Sequence, residues 1–131
     1  MFTNVQEAEK ISAYSDIKET LLSAKKLEWP DLALQVFHLQ HEHNPVYRQW
    51  CDHLHCQAEE VKNIEDIPFL PIDFFKQERL SIISQEPKGY FRSSGTGGYG
   101  QSKHAVYDLD FYDRWTKQSF EDFYAPVEDF C

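Results

Sequence analysis

The sequence predicts a single-domain α/β fold. A helical assembly occupies residues 1–60. An extended proline segment, short strands around a Ser/Gly-rich loop and a C-terminal helix fill residues 61–131. Three observations point to this arrangement. Apolar residues recur every three or four positions through the first 60 residues and again after Asp108, the period of a helix with one covered face. Pro68 and Pro71, three apart, forbid regular helix and central strand between them. All five glycines fall between Gly89 and Gly100, four of them from Gly95 onward. Glycine lets backbone adopt φ > 0 and approach a ligand closely, so this crowding marks a local demand.

Each element has its own signal. Ser15 is suited to cap a helix running to Lys26, with Ile17, Leu21, Leu22 and Ala24 on its apolar side. Pro30 fits the first turn of a second helix bearing Leu32, Leu34, Val36, Phe37 and Leu39. That helix ends at Asn44, because Pro45 pushes the preceding residue out of helical geometry. Asn44 then caps a third helix, with Val46, Trp50 and Leu54 four apart and Tyr47, Cys51 and Ala58 alongside. Residues 67–72 read as an extended strip laid across a surface, and residues 73–77 as a helical turn. Residues 80–83, 90–94 and 103–107 read as strands. Asp108 is a fitting N-cap for a last helix over residues 109–124. Its Phe111, Tyr112, Trp115, Phe120, Phe123 and Tyr124 lie on more than one face, as in a helix sandwiched between neighbours. Such a helix implies self-association or inclusion in something larger.

Composition excludes several classes. With 41% hydrophobic, 15% aromatic and 27% charged residues the chain is globular in character. Twenty-two acids against thirteen bases give a net charge of −9, which argues against a non-specific nucleic-acid binder, whose phosphate contacts need clustered Lys and Arg. No stretch approaches the ~20 apolar residues of a membrane helix. The opening residues, MFTNVQEAEK, lack the basic flank and apolar centre of a secretion signal. Three cysteines make no disulfide framework, so a cytoplasmic location is expected.

The loop from Ser93 to Gly100 offers convergent backbone N–H groups after a strand, with Ser93, Ser94 and Thr96 as hydroxyl donors. These are the features of a phosphate cradle, to which Arg92, Lys103 or His104 can add positive charge. The plain alternative is a flexible hairpin tip. Gly95, Gly97 and Gly100 satisfy G-x-G-x-x-G, but that fingerprint opens a helix, and here a strand follows. A P-loop reading fails because Gln101 stands where its lysine belongs, and a kinase-type glycine loop lacks its V-A-I-K strand.

Ser93-Ser94-Gly95-Thr96-Gly97-Gly98 closely resembles the S-S-G-T-T-G phosphate loop of adenylate-forming acyl-activating enzymes. Residues 32–37, 44–48, 67–76, 91–98 and 102–109 extend the resemblance to the acyl-protein synthetase family, the acyl-activating component of the fatty-acid reductase complex in bacterial luminescence. The resemblance implies the N-terminal portion of an adenylate-forming ligase fold. It also implies activation of a carboxylic or fatty acid as acyl-AMP with ATP and Mg²⁺, then transfer to a thiol of an acyl acceptor or reductase-like partner protein. Nucleotide phosphates would be bound by Ser93, Ser94, Gly95, Thr96, Gly97, Gly98 and Lys103. Gly97 departs from the pattern, replacing the second threonine and its hydroxyl. The family's adenine and ribose contacts, its Mg²⁺-binding acid and its acyl-accepting cysteine are expected in sequence beyond these residues. Cys131 is not that cysteine, no catalytic residue falls in this portion, and the isolated chain is expected to be inactive. The competing class is a non-enzymatic helical interaction module that docks, or forms a homo-oligomer, through its aromatic last helix.

Other chemistry-bearing residues have bland explanations. His38, His41, His43, Cys51, His53, His55 and Cys56 crowd together but match no usual zinc spacing. Asp108, Asp110 and Asp113 read as a cap and favourable charges at a helix N-terminus rather than a cation site. Phe69, Phe74 and Phe75 read as core before acyl pocket.

Overall fold

The structure is a computed structural model that describes residues 4–23, 28–77, 80–94 and 101–130. Helix α1 spans Asn4–Ser23, α2 Trp29–His43 and α3 Pro45–His53, followed by single 3₁₀ turns at Ala58–Glu60 and Ile64–Asp66. A short helix α4, Phe74–Gln77, precedes strands β1, Gly89–Arg92, and β2, Lys103–Val106. Helix α5, Leu109–Phe123, and a 3₁₀ turn at Val127–Phe130 complete the order. The described residues are mostly helical, and their one sheet is an antiparallel two-stranded hairpin.

Capping side chains or a first-turn proline mark three of the helix starts. Pro30 lies in the first turn of α2. The Asn44 side chain accepts from the Tyr47 N–H at 3.2 Å, starting α3 where α2 has just stopped. Asp108 does the same for α5, accepting from the Phe111 N–H at 3.0 Å. Three expectations need correction. Helix α1 starts at Asn4, with Ser15 inside it, because residues 4–14 are rich in good helix formers and Glu7 pairs with Lys10 one turn on. Ala24 and Lys26 lie outside the described residues. Helix α3 stops at His53 because His55 takes φ 56° and the Cys56 N–H returns to the Cys51 carbonyl at 2.9 Å. Residues 80–83 form no strand. There the Ser81 hydroxyl accepts from the Ile83 N–H at 3.0 Å, a local bond that competes with sheet pairing.

The core joins α2 and α3 to the chain that follows them. Phe37, Tyr47, Cys51 and Val61 are buried together, with Leu34, Trp50, Ile67 and Leu70 against them. The proline strip lies across this core. The Tyr47 hydroxyl donates to the Pro68 carbonyl at 2.7 Å, and the Trp50 indole N–H donates to the Phe69 carbonyl at 2.9 Å. At its head the Asn63–Asp66 capping box fixes the 3₁₀ turn, and the N–H groups of Lys62 and Asn63 hold the Asp66 carboxyl below its ordinary range. Helix α1 packs on α2, and α5 crosses α1. There the Gln118 amide donates to the Leu22 carbonyl at 2.9 Å and Lys18 pairs with Asp108. No residue of α5 is fully buried among the described residues.

Candidate functional site

The candidate site is built on the β1–β2 hairpin. The register pairs Gly89 with Val106, Tyr90 with Ala105, Phe91 with His104 and Arg92 with Lys103. Pairing continues one step further: the Ser93 N–H donates to the Ser102 carbonyl, and the Ser102 N–H donates to the Ser93 hydroxyl oxygen, both at 3.1 Å. Ser102 is buried in this neck. The Ser93 hydroxyl therefore serves the neck as an acceptor and keeps its proton to donate. Ser94 is exposed just beyond it. Gly95, Thr96, Gly97 and Gly98 lie outside the described residues.

Alternation along the strands gives the hairpin two faces. On one, Phe91 stacks on Tyr112 of α5, with centroids 4.8 Å apart, and His104 stacks on Phe75 of α4 at 5.0 Å. This face leans on the body. Arg92 and Lys103 share the opposite face, directly across from one another and exposed. Like charges opposite each other destabilise a strand pair, and among the described residues neither takes part in an ion pair. Two unneutralised cations at the throat of a donor-rich loop suit an anion. The sequence offers Arg92, Lys103 and His104 as charges beside the loop, and the register places Arg92 and Lys103 across from one another.

Next to the hairpin lies an apolar groove of about 680 Å³. Leu32, Val36 and Phe37 of α2 form one wall, and Ile67, Phe69 and Leu70 of the proline strip form another. Phe75 and Trp115 close it toward the hairpin and α5. Of the three phenylalanines considered earlier, Phe69 is 86% exposed and Phe75 half-buried on this groove, while Phe74 packs edge-on against Trp50.

The remaining candidates take up structural positions. His38 and His41 flank the Phe37 ring, and His53 lies over Trp50. No group of three or more His, Cys, Asp or Glu gathers to hold a metal among the described residues. Cys51 is fully buried, and burial pushes its thiol, like the Tyr47 hydroxyl, above the ordinary range. A protonated buried thiol is not a nucleophile. Asp108 is the cap of α5 and the partner of Lys18, whose hydrogen bond, with that of the Phe111 N–H, holds its carboxyl below the usual range. No helix among the described residues is long and apolar enough to cross a membrane.

Fold and site together define a mostly helical α/β module that presents a Ser/Gly-rich loop on a two-stranded neck. A sequence model described as "Acyl-protein synthetase, LuxE" matches residues 1–108, and the chain belongs to this acyl-protein synthetase family. A long-chain-fatty-acid–luciferin-component ligase of Photorhabdus luminescens is 29% identical over 106 residues, covering 73% of this chain and 90% of that protein. Proteins of the same description from Aliivibrio fischeri and Vibrio harveyi are 27% and 28% identical over 99 and 100 residues, or 68% and 69% of this chain. The chain spans about a quarter of the length of these two, 26% of each. No solved structure matches it.

Proposed function

We propose that this chain is the N-terminal portion of an ATP-dependent, AMP-forming acyl-protein synthetase, and that its hairpin loop holds the nucleotide phosphates. The relatives' printed description, long-chain-fatty-acid ligase, supplies the acid substrate class. In the reaction a carboxylate oxygen attacks the α-phosphorus of ATP, the bond to the bridging oxygen breaks, and pyrophosphate leaves with its electron pair. A thiol then takes the acyl group and AMP departs. The part assigned to this chain is electrostatic. Ser93 and Ser94 hydroxyls, loop amides from Gly95 to Gly98, the Thr96 hydroxyl, Arg92 and Lys103 stabilise charge building on pyrophosphate. Mg²⁺ would supply charge neutralisation at the phosphates when bound, and none of the loop residues assigned here is an acid that would hold it. The observation that carries this reading is the opposed Arg92–Lys103 pair at the neck of a family-type loop.

The test is a titration of the labelled chain with pyrophosphate or ATP, read by amide shifts. Shifts centred on Gly95–Gly100 that disappear in Lys103→Glu are expected, with no acyl-AMP made by the chain alone. Acyl-AMP formation above a Thr96→Ala control would overturn the assigned incompleteness, and absence of loop shifts would overturn the phosphate role. A second reading, a docking module without chemistry, has one observation in its favour: Phe123 and Tyr124 of the α5 end are 80% and 74% exposed. It predicts concentration-dependent association and a silent loop.

A further inference from the structure

The apolar groove has no part in the phosphate chemistry, yet it adjoins the hairpin at Phe75. Phe75 lines the groove, and its ring stacks on His104, the neighbour of Lys103 in β2. We propose that this groove holds the hydrocarbon tail of a free long-chain fatty acid, its carboxyl end directed past Phe75 toward the hairpin. The proposal rests on the ligase reading for the acid. It adds the place where the chain of that acid lies.

Three features select this occupant. The groove's volume, about 680 Å³, falls within the ~300–1,000 Å³ of small-molecule sites. The polar side chains Asn44 and Tyr47 on its lining are already engaged. The Asn44 amide donates to Gln40 at 3.0 Å, the Asn44 oxygen accepts from Tyr47, and the Tyr47 hydroxyl is spent on Pro68. An extended peptide brings backbone groups that need partners such a wall does not supply. A methylene chain needs none. Finally, the walls include α2, the proline strip, α4 and α5, and Phe75 of α4 carries the groove to His104 of the hairpin, so a tail laid between them can direct its carboxyl end there.

Trp29 and Trp115, two of the three tryptophans, line the groove and report on it. The full chain is titrated with palmitate brominated near its methyl end, whose bromine quenches indole fluorescence on contact. Saturable quenching is expected, weakening up to about fourfold for each methylene removed toward octanoate. Ala33→Phe, which fills the groove, should abolish it. Phe69→Ser, at a position so exposed that folding is unaffected, should weaken it several-fold. Quenching that is absent, insensitive to chain length or unchanged in both variants overturns the proposal. So does a dimer whose formation excludes the acid, since the groove then belongs to a second copy. Pyrophosphate shifts in the loop without quenching sink the groove and spare the ligase reading; quenching without loop shifts does the reverse.

Discussion

Arg92 and Lys103 face each other across the last strand pair before the loop, in a chain whose net charge is −9. Placing two like charges there costs the hairpin stability, of the order of a few tenths to 1 kcal/mol. If the pair exists for an anion, stability and affinity must move in opposite directions when it is reversed. Arg92→Glu turns repulsion into attraction and should raise the thermal midpoint slightly. The same substitution should lower pyrophosphate affinity by tenfold or more, since it replaces a charged donor worth ~1.5–3 kcal/mol with a repelling carboxylate. Calorimetry and a binding titration on one variant read both signs. A variant that loses both stability and affinity would mean that Arg92 merely supports the hairpin.

Among the elements, α5 shows most plainly how local chemistry sets a boundary. Asp108 caps its first turn and also pairs with Lys18 of α1, so one carboxylate both starts the helix and docks it. Asp108→Ala should cost about 1 kcal/mol, while Asp108→Asn, which keeps the accepting oxygen, should cost less. The pH dependence follows from the depressed carboxyl. Its contribution is complete above the ordinary aspartate value, about 4, and is lost as pH falls through the lower folded-state value. The stability gap between the native chain and Asp108→Ala should therefore close below pH ~4, as chemical denaturation across that range will show. Elements marked by a capping side chain or a first-turn proline were legible in the sequence: α2 from Pro30, α3 from Asn44, α5 from Asp108. The misses have a different cause. Helix α1 extends upstream through helix formers that carry no cap signal, α3 is cut short by the left-handed His55, and residues 80–83 are diverted by the Ser81 side chain. No sequence period reveals a groove whose walls come from elements as far apart as α1, α2, the proline strip, α4 and α5.

For the molecule as a whole, the accessible surface is 9866 Å², whereas a compact monomer of 15.5 kDa exposes about 7,200 Å². The excess includes large apolar side chains at the α5 end: Phe123, Tyr124 and, in the turn that follows, Phe130. Phe120 packs against Tyr124 and, edge-on, against Phe130, so these three rings form one patch rather than scattered exposures, with exposed Phe123 adjacent to Tyr124 in sequence. Contiguous apolar surface of this kind favours association. Charge opposes it, because residues 108–131 hold seven acids and two bases, more than half of the net −9. Lys117 neutralises part of that locally by pairing with Glu121 and Glu128. The balance should therefore tilt with ionic strength. Screening shortens the reach of the repulsion from ~30 Å at 0.01 M salt to ~3 Å at 1 M, while leaving apolar burial intact. Sedimentation should show the average mass rising with both salt and protein concentration. Phe123→Ser should remain monomeric throughout, with folding stability within ~0.5 kcal/mol of the native chain because the side chain is exposed. Mass that falls with added salt would instead mark contacts made by charged groups, and the aromatic patch would then have no role in holding copies together.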